Sequence, residues 1–110
     1  MNSNTSVEHN LPAIENTRPI SQSDESCLGD IEAVLKKYGK LERFGVTLLH
    51  KHFQLQPDEV LVEACDPESR TLTIKPEKVP SMNPDHYIET SWRLDTGQAL
   101  MRCNIEVYHS

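Results

Sequence analysis

The sequence predicts an α+β fold with one N-terminal helix packed on an antiparallel sheet of about five strands. Apolar residues recur first at helical spacing, and further along the chain they alternate with polar residues at the period of two that is typical of strands. One helix followed by hairpin-connected strands favours a helix lying on one face of a sheet. A chain of 110 residues is long enough to bury a core without disulfides or a metal.

Residues 1–23 are predicted to be a disordered tail, and residues 24–110 a single domain. The tail is rich in Asn, Ser, Thr, Glu and Pro and has few apolar residues. Such a segment buries too little apolar surface to offset the entropy that it loses on ordering. A short motif between Leu11 and Ile20 that docks on a partner is the alternative.

The helix is predicted at residues 27–38. Asp24 or Ser26 is available as its N-cap, and Gly39 is placed to adopt the left-handed conformation that ends a helix. Its apolar face consists of residues at helical spacing: Leu28, Ile31, Val34, Leu35 and Tyr38.

Strands are predicted wherever apolar and polar residues alternate between turn-forming residues. Turns are expected at 66–69 and 95–98, where Pro67 and Gly97 favour a change of chain direction. The Pro-rich connection at 76–84 is either a functional loop or a simple crossover. The predicted strands cover residues 46–51, 59–65, 70–75, 87–94 and 99–108.

Charge and cysteine content limit the partners and the location of the protein. The net charge of −6 argues against nucleic acid and anionic membranes, which bind clustered Lys and Arg. Cys27, Cys65 and Cys103 have no Cys-x-x-Cys spacing, so we expect reduced thiols in the cytoplasm. No secretion signal or membrane-spanning run is recognisable in the sequence.

A His-x-His pair, His50 and His52, is the place where metal chemistry is most plausible. On a strand both imidazoles lie on one face, and neutral imidazole is a common ligand for divalent transition metals. His86 and Glu59 are the predicted additional ligands. The alternative is a pair of surface histidines, hydrogen-bonded to backbone or water, with no cofactor at all.

Two aromatic residues complete the predicted binding surface, which consists of His50, His52, Phe53 and Trp92. Trp92 is the only tryptophan and lies on a predicted strand. It is either a core anchor or the aromatic wall of a pocket.

One segment resembles a family of small bacterial and fungal proteins of unknown function. The shared pattern is Phe-Gly at 44–45, Leu-Leu-His-Lys-His-Phe at 48–53 and Asp-Glu-Val-Leu-Val-Glu at 58–63. The resemblance implies neither an activity nor a fold.

The sequence favours a non-enzymatic binding module with a protein partner, because no complete catalytic signature is recognisable. The alternative is a metal-binding protein or a small metal-dependent enzyme that uses His50 and His52. The oligomeric state is left open.

Overall fold

The computed structural model of the protein describes residues 6–106. These residues confirm the α+β class, with one α-helix and a four-stranded mixed sheet. The chain forms two compact units, one of residues 1–10 with 53–110 and one of residues 11–52. No helix within the described residues is long and apolar enough to cross a membrane.

Helix α1 extends over Gln22–Lys37 and begins earlier than predicted. Ser21 is its N-cap, because the Ser21 hydroxyl accepts a hydrogen bond from the Asp24 N–H at 3.3 Å. The Asp24 carboxylate in turn accepts one from the Ser21 N–H at 2.8 Å, which completes a capping box. Asp24 is therefore the third residue of the helix and not its cap. The predicted stop is confirmed, since Gly39 has φ +68°.

The strands are β1 (Glu59–Asp66), β2 (Thr71–Lys78), β3 (Tyr87–Arg93) and β4 (Gln98–Asn104), in the order β2-β1-β4-β3. Strand β1 pairs antiparallel with β2, and β3 pairs antiparallel with β4. Strands β1 and β4 are parallel, so the prediction of a purely antiparallel sheet is wrong. Residues 107 and 108, predicted in the last strand, lie outside the described residues.

The predicted strand at residues 46–51 does not form. Val46 and Leu48 are exposed, and only Lys51 makes an isolated bridge, to Ala13. The Lys51 N–H donates to the Pro12 carbonyl at 2.8 Å. Alternation alone does not make a strand, because the backbone N–H and C=O groups of a strand need a neighbouring strand to pair with.

The connection after β2 explains why β1 and β4 are parallel. Strands β2 and β3 run in the same direction, because each is antiparallel to one member of the parallel pair. Residues 79–86 must therefore carry the chain back along the length of the sheet, and they do so through two short 3₁₀ helices. The chain therefore crosses over at residues 79–86, and residues 76–78 of the predicted Pro-rich connection belong to β2 instead.

Both predicted turns are confirmed. Between β1 and β2, the Asp66 carboxylate accepts hydrogen bonds from the N–H groups of Glu68 at 3.1 Å and Ser69 at 3.5 Å. Between β3 and β4, Gly97 has φ +74°, which favours glycine. These local hydrogen bonds and dihedral angles fix both hairpins.

The N-terminal tail lies only partly within the described residues. Residues 1–5 are outside them, and the following residues contain a turn and a short 3₁₀ helix, Ile14–Asn16. The disorder of residues 1–23 and the domain boundary at residue 24 stay predictions, as does the packing of the helix on the sheet.

Candidate functional site

His50 and His52 lie together in the unit formed by residues 11–52. Their ring centroids are 4.8 Å apart, with the rings nearly perpendicular at 82°. His50 Nδ1 lies 2.7 Å from the Leu48 carbonyl oxygen. Because a carbonyl only accepts, Nδ1 is the donor in this contact, and Nε2 is the ring nitrogen left to act as a metal ligand. The His50 side chain is thus oriented in the way that metal-ligating histidines commonly are.

The other two predicted ligands, Glu59 and His86, belong to the other unit and have partners there. The Glu59 carboxylate accepts from the Gln56 N–H at 2.7 Å, and His86 forms an ion pair with Glu106. Across the part of the chain that the structure describes, no group of three or more His, Cys, Asp or Glu side chains is placed to hold a metal ion.

The two predicted aromatic contact residues, Phe53 and Trp92, are exposed. The Trp92 indole N–H donates to the Glu89 carboxylate at 3.2 Å. A side chain that is 41% exposed is not a core anchor, and the alternative, that Trp92 is the aromatic wall of a pocket, stays a prediction. Its membership of a binding site stays a prediction.

The strand register shows a surface that the sequence analysis missed. Directly paired residues of neighbouring strands share one face of a sheet. Ile74 pairs with Glu63, Glu63 pairs with Cys103, and Cys103 pairs with Ile88, which makes one row across all four strands. A second row on the same face runs from Pro76 through Leu61 to Met101. We call these two rows, together with Leu72 and Cys65, the open face.

The opposite face, which we call the covered face, contains Val60, Val62 and Arg102. Val60 and Val62 are each only 2% exposed. The crossover lies on this side, since the Met82 sulfur is 3.9 Å from the Arg102 guanidinium. The fold therefore has its buried apolar residues on one side of β1.

The open face is apolar and accessible. Leu72 is 57% exposed, Ile88 is 54% exposed and Ile74 is 38% exposed. Leu61, Met101, Cys65 and Cys103 are half-buried between them. Contiguous exposed apolar residues on a protein surface mark sites of interaction more often than isolated ones do.

Glu63 is the acidic residue in the middle of the open face. Its paired neighbours there are Ile74 and Cys103. None of the ion pairs among the described residues involves Glu63. Burial first, and then the nearby Glu63 and Cys65, raise the pKa of the Cys103 thiol. The open face is therefore an apolar surface with negative charge at its centre.

The sequence held a signal for the open face, although it did not identify it. Residues 60–62 are apolar without interruption, and Leu72 and Ile74 alternate with threonines. A strand with apolar residues on both faces predicts a sheet that is covered on both sides. This pattern of apolar residues does not show which face of the sheet is exposed.

Comparison of the chain with family models, with curated proteins and with solved structures finds no match.

Proposed function

We propose that the protein is a non-enzymatic interaction module that binds a protein partner through the open face. The single observation that carries this proposal is the exposure of Leu72, Ile74 and Ile88 on one face of the sheet, whereas Val60 and Val62 on the other face are buried. Because these side chains are about half exposed, each gains about 1 kcal/mol when a partner removes the rest of its surface from water. A surface of this kind supports binding more than it supports the stability of the isolated chain.

The position of Glu63 determines the chemistry of the partner. A partner that covers the open face removes water from the Glu63 carboxylate, which costs free energy unless the partner supplies a donor or a positive charge. The preferred partner is therefore a segment that presents apolar side chains around one Lys or Arg. The net charge of −6 attracts the same kind of segment.

Binding through the face is favoured over strand addition at an edge. The two edge strands are β2 and β3. Pro76 has no N–H to donate from β2, and β3 has register shifts between Glu89 and Trp92. Prolines and bulges are features that prevent a further strand from pairing with an edge.

Selection of peptides from a random displayed library on the full-length protein tests this proposal. We expect the selected peptides to combine apolar residues with one or more basic residues. Against the Glu63→Lys variant the same library should yield acidic peptides instead. Selected peptides without a charge preference, or with the same preference for both proteins, would contradict the proposal.

Adjacent residues of β2 provide a matched pair of variants for the same peptides. Ile74→Ser on the open face should weaken binding by at least about 10-fold, as the loss of a central apolar contact does. Lys75→Ser, on the other face of the same strand, should leave the affinity unchanged. The affinities are measured by isothermal titration calorimetry. Equal effects of the two substitutions would assign the binding to another surface.

The predicted surface around residues 50–53 is tested with the same peptides. A variant with His50→Ala, His52→Ala and Phe53→Ala removes it without changing the open face. If the proposal is correct, this triple variant binds the selected peptides as the wild type does. Loss of binding in a folded triple variant would assign the contact surface to these three residues.

A second function, binding of a divalent transition metal by His50 and His52, is favoured by their geometry. The imidazoles are adjacent, and the Leu48 carbonyl orients His50 so that Nε2 is the available ligand atom.

Titration of metal-free protein with Zn²⁺, followed through the imidazole resonances, tests this second function. Saturable shifts confined to His50, His52 and one further side chain would support a metal site. Weak, similar shifts at all exposed histidines would show that the pair is an ordinary surface feature. His52→Ala is the variant that must abolish any saturable response.

A further inference from the structure

The turn formed by residues 6–9 is held on the sheet-containing unit by long-range hydrogen bonds. Within the turn, the His9 N–H donates to the Ser6 carbonyl at 3.1 Å. The Glu8 carboxylate accepts a hydrogen bond from the Leu55 N–H at 2.9 Å and another from the Ser6 hydroxyl at 3.0 Å. Glu8 is only 5% exposed, which is unusual for a glutamate.

Arg93 holds the same turn from a second direction. Its guanidinium donates to the Val7 carbonyl at 3.3 Å and to the His9 carbonyl. The Arg93 side chain is 12% exposed, and Asp95 lies 2.9 Å from its Nε atom. The guanidinium that donates to the turn is thus mostly buried and lies beside a carboxylate of its own unit.

Most of the hydrogen bonds that hold the turn do not depend on the identity of its side chains. Leu55 contributes a backbone N–H, and Arg93 contacts main-chain carbonyls that any peptide possesses. The only side chain of the turn that these groups contact is the Glu8 carboxylate. The site therefore selects a turn with a carboxylate between two accepting carbonyls.

Apart from these hydrogen bonds, little apolar surface of the turn at residues 6–9 is buried. Val7 is its only apolar residue and is half-buried, whereas His9 and Asn10 are exposed. Asn10 has φ +66°, a left-handed conformation that costs a non-glycine residue free energy. The chain then leaves this unit at Leu11. The conformation of Asn10 and the exposure of His9 favour displacement of the turn, whereas the hydrogen bonds of Glu8 and Arg93 oppose it.

We propose that Leu55 and Arg93 form a binding site for an acidic turn segment of a partner protein, and that residues 6–9 occupy this site as a built-in competitor. None of these contacts involves a residue of the open face, so this proposal stands apart from the function proposed above. A partner that binds here takes the place of residues 6–9 and thereby releases the N-terminal segment.

A synthetic peptide with the sequence of residues 4–10 and blocked ends is the probe. It is titrated into full-length protein while the Leu55 amide resonance is followed. A tethered segment competes at an effective concentration in the millimolar range, so the wild type should bind the peptide weakly. Glu8→Ala, which weakens the competitor, should bind it at least about 10-fold more tightly. A folded Glu8→Ala variant that does not bind the peptide would refute the proposal.

Three controls define the site. The same peptide with Glu8→Gln should bind at least about 10-fold more weakly, because the charged hydrogen bond is lost. Arg93→Lys in the Glu8→Ala protein should also weaken binding, since Lys lacks the planar guanidinium. Asp85→Asn removes a carboxylate that contacts neither Leu55 nor Arg93, and this variant should retain binding. Equal binding of the Glu and Gln peptides would contradict recognition of a carboxylate.

A second measurement does not depend on the folding of any variant. A spin label on the peptide, added in excess to the wild-type protein, should broaden the Leu55 amide resonance selectively. No broadening at Leu55 would refute the site. Concentration-dependent dimers, abolished by Glu8→Ala, would instead identify the occupant as the turn of a second copy of this chain.

Discussion

The two faces of the sheet are formed by alternating residues of the same strands, yet they differ sharply in exposure. Val60 and Val62 on the covered face are 2% exposed, whereas Leu72 and Ile88 on the open face are more than half exposed. Apolar side chains alone therefore do not identify the core. The crossover at residues 79–86 lies on the side of Val60 and Val62, where Met82 contacts Arg102.

This difference predicts that stability and binding depend on different faces. The covered face supplies buried apolar contacts, and their loss leaves a cavity. The open face keeps most of its surface in water, so truncation of its side chains changes the folded state little.

Val62→Ala is expected to have the largest effect on stability. It removes two buried methyl groups and should lower the free energy of unfolding by about 2 kcal/mol. Leu72→Ala on the open face removes more carbon atoms but should change stability by less than about 0.5 kcal/mol. Urea unfolding of both variants measures the difference. Equal losses would show that both faces contribute to one core.

Alkylation of the cysteines should reveal the environment of the open face. Burial, Glu63 and Cys65 raise the pKa of the Cys103 thiol, so less reactive thiolate is present at neutral pH. We expect Cys103 to react with iodoacetamide several-fold more slowly than Cys27, which is exposed on α1. The rates are obtained by mass spectrometry of digested protein.

The Glu63→Gln variant tests whether the charge of Glu63 contributes to the slow alkylation of Cys103. Removing the negative charge should lower the pKa of Cys103 and speed its alkylation, without changing the rate at Cys27. The pH at which Cys103 becomes reactive should fall as well. An unchanged Cys103 rate would contradict the placement of Glu63 beside Cys103 on the open face.

The smallest effect is expected at the turn between β1 and β2. Hydrogen bonds from Ser69, and then from Glu68, lower the pKa of the Asp66 carboxyl below its usual value. A group with a lowered folded pKa stabilises the protein above its unfolded pKa, and this contribution is lost as the pH falls through the folded pKa.

Asp66→Asn should therefore lower the thermal midpoint slightly at neutral pH and have no effect at a pH low enough to protonate the carboxyl in both states. Because Asp66 is fully exposed, the loss should be smaller than that of Val62→Ala. A loss that persists at low pH would assign the effect to turn geometry and not to charge. Calorimetric scans at the two pH values measure it.

Much of the local structure was predictable from the sequence because short-range patterns determine it. The positions of four strands follow from alternation between turn-forming residues, and Gly97 and Pro67 lie in the turns. The helix was predicted too short because Ser21, its N-cap, lies before the apolar residues that define its face. Residues 46–51 have the alternation of a strand but lack a partner, so that prediction was wrong.

The candidate sites were predicted less well than the elements. His50 and His52 do lie side by side, although in a loop and not on a strand. The open face and the Glu8 site were missed. Glu8 and the Leu55 N–H are 47 residues apart, and no local pattern connects them.

The sequence by itself determined the α+β class, the hairpins, the end of the helix and the acidic charge, because each depends on neighbouring residues or on composition. The tertiary structure alone decided the parallel pairing of β1 with β4, the strand order and the face that is left open. The physical reason is that these features depend on the route of residues 79–86 along the sheet. That route is set by the free energy of packing distant segments together and not by the conformational preference of any single segment.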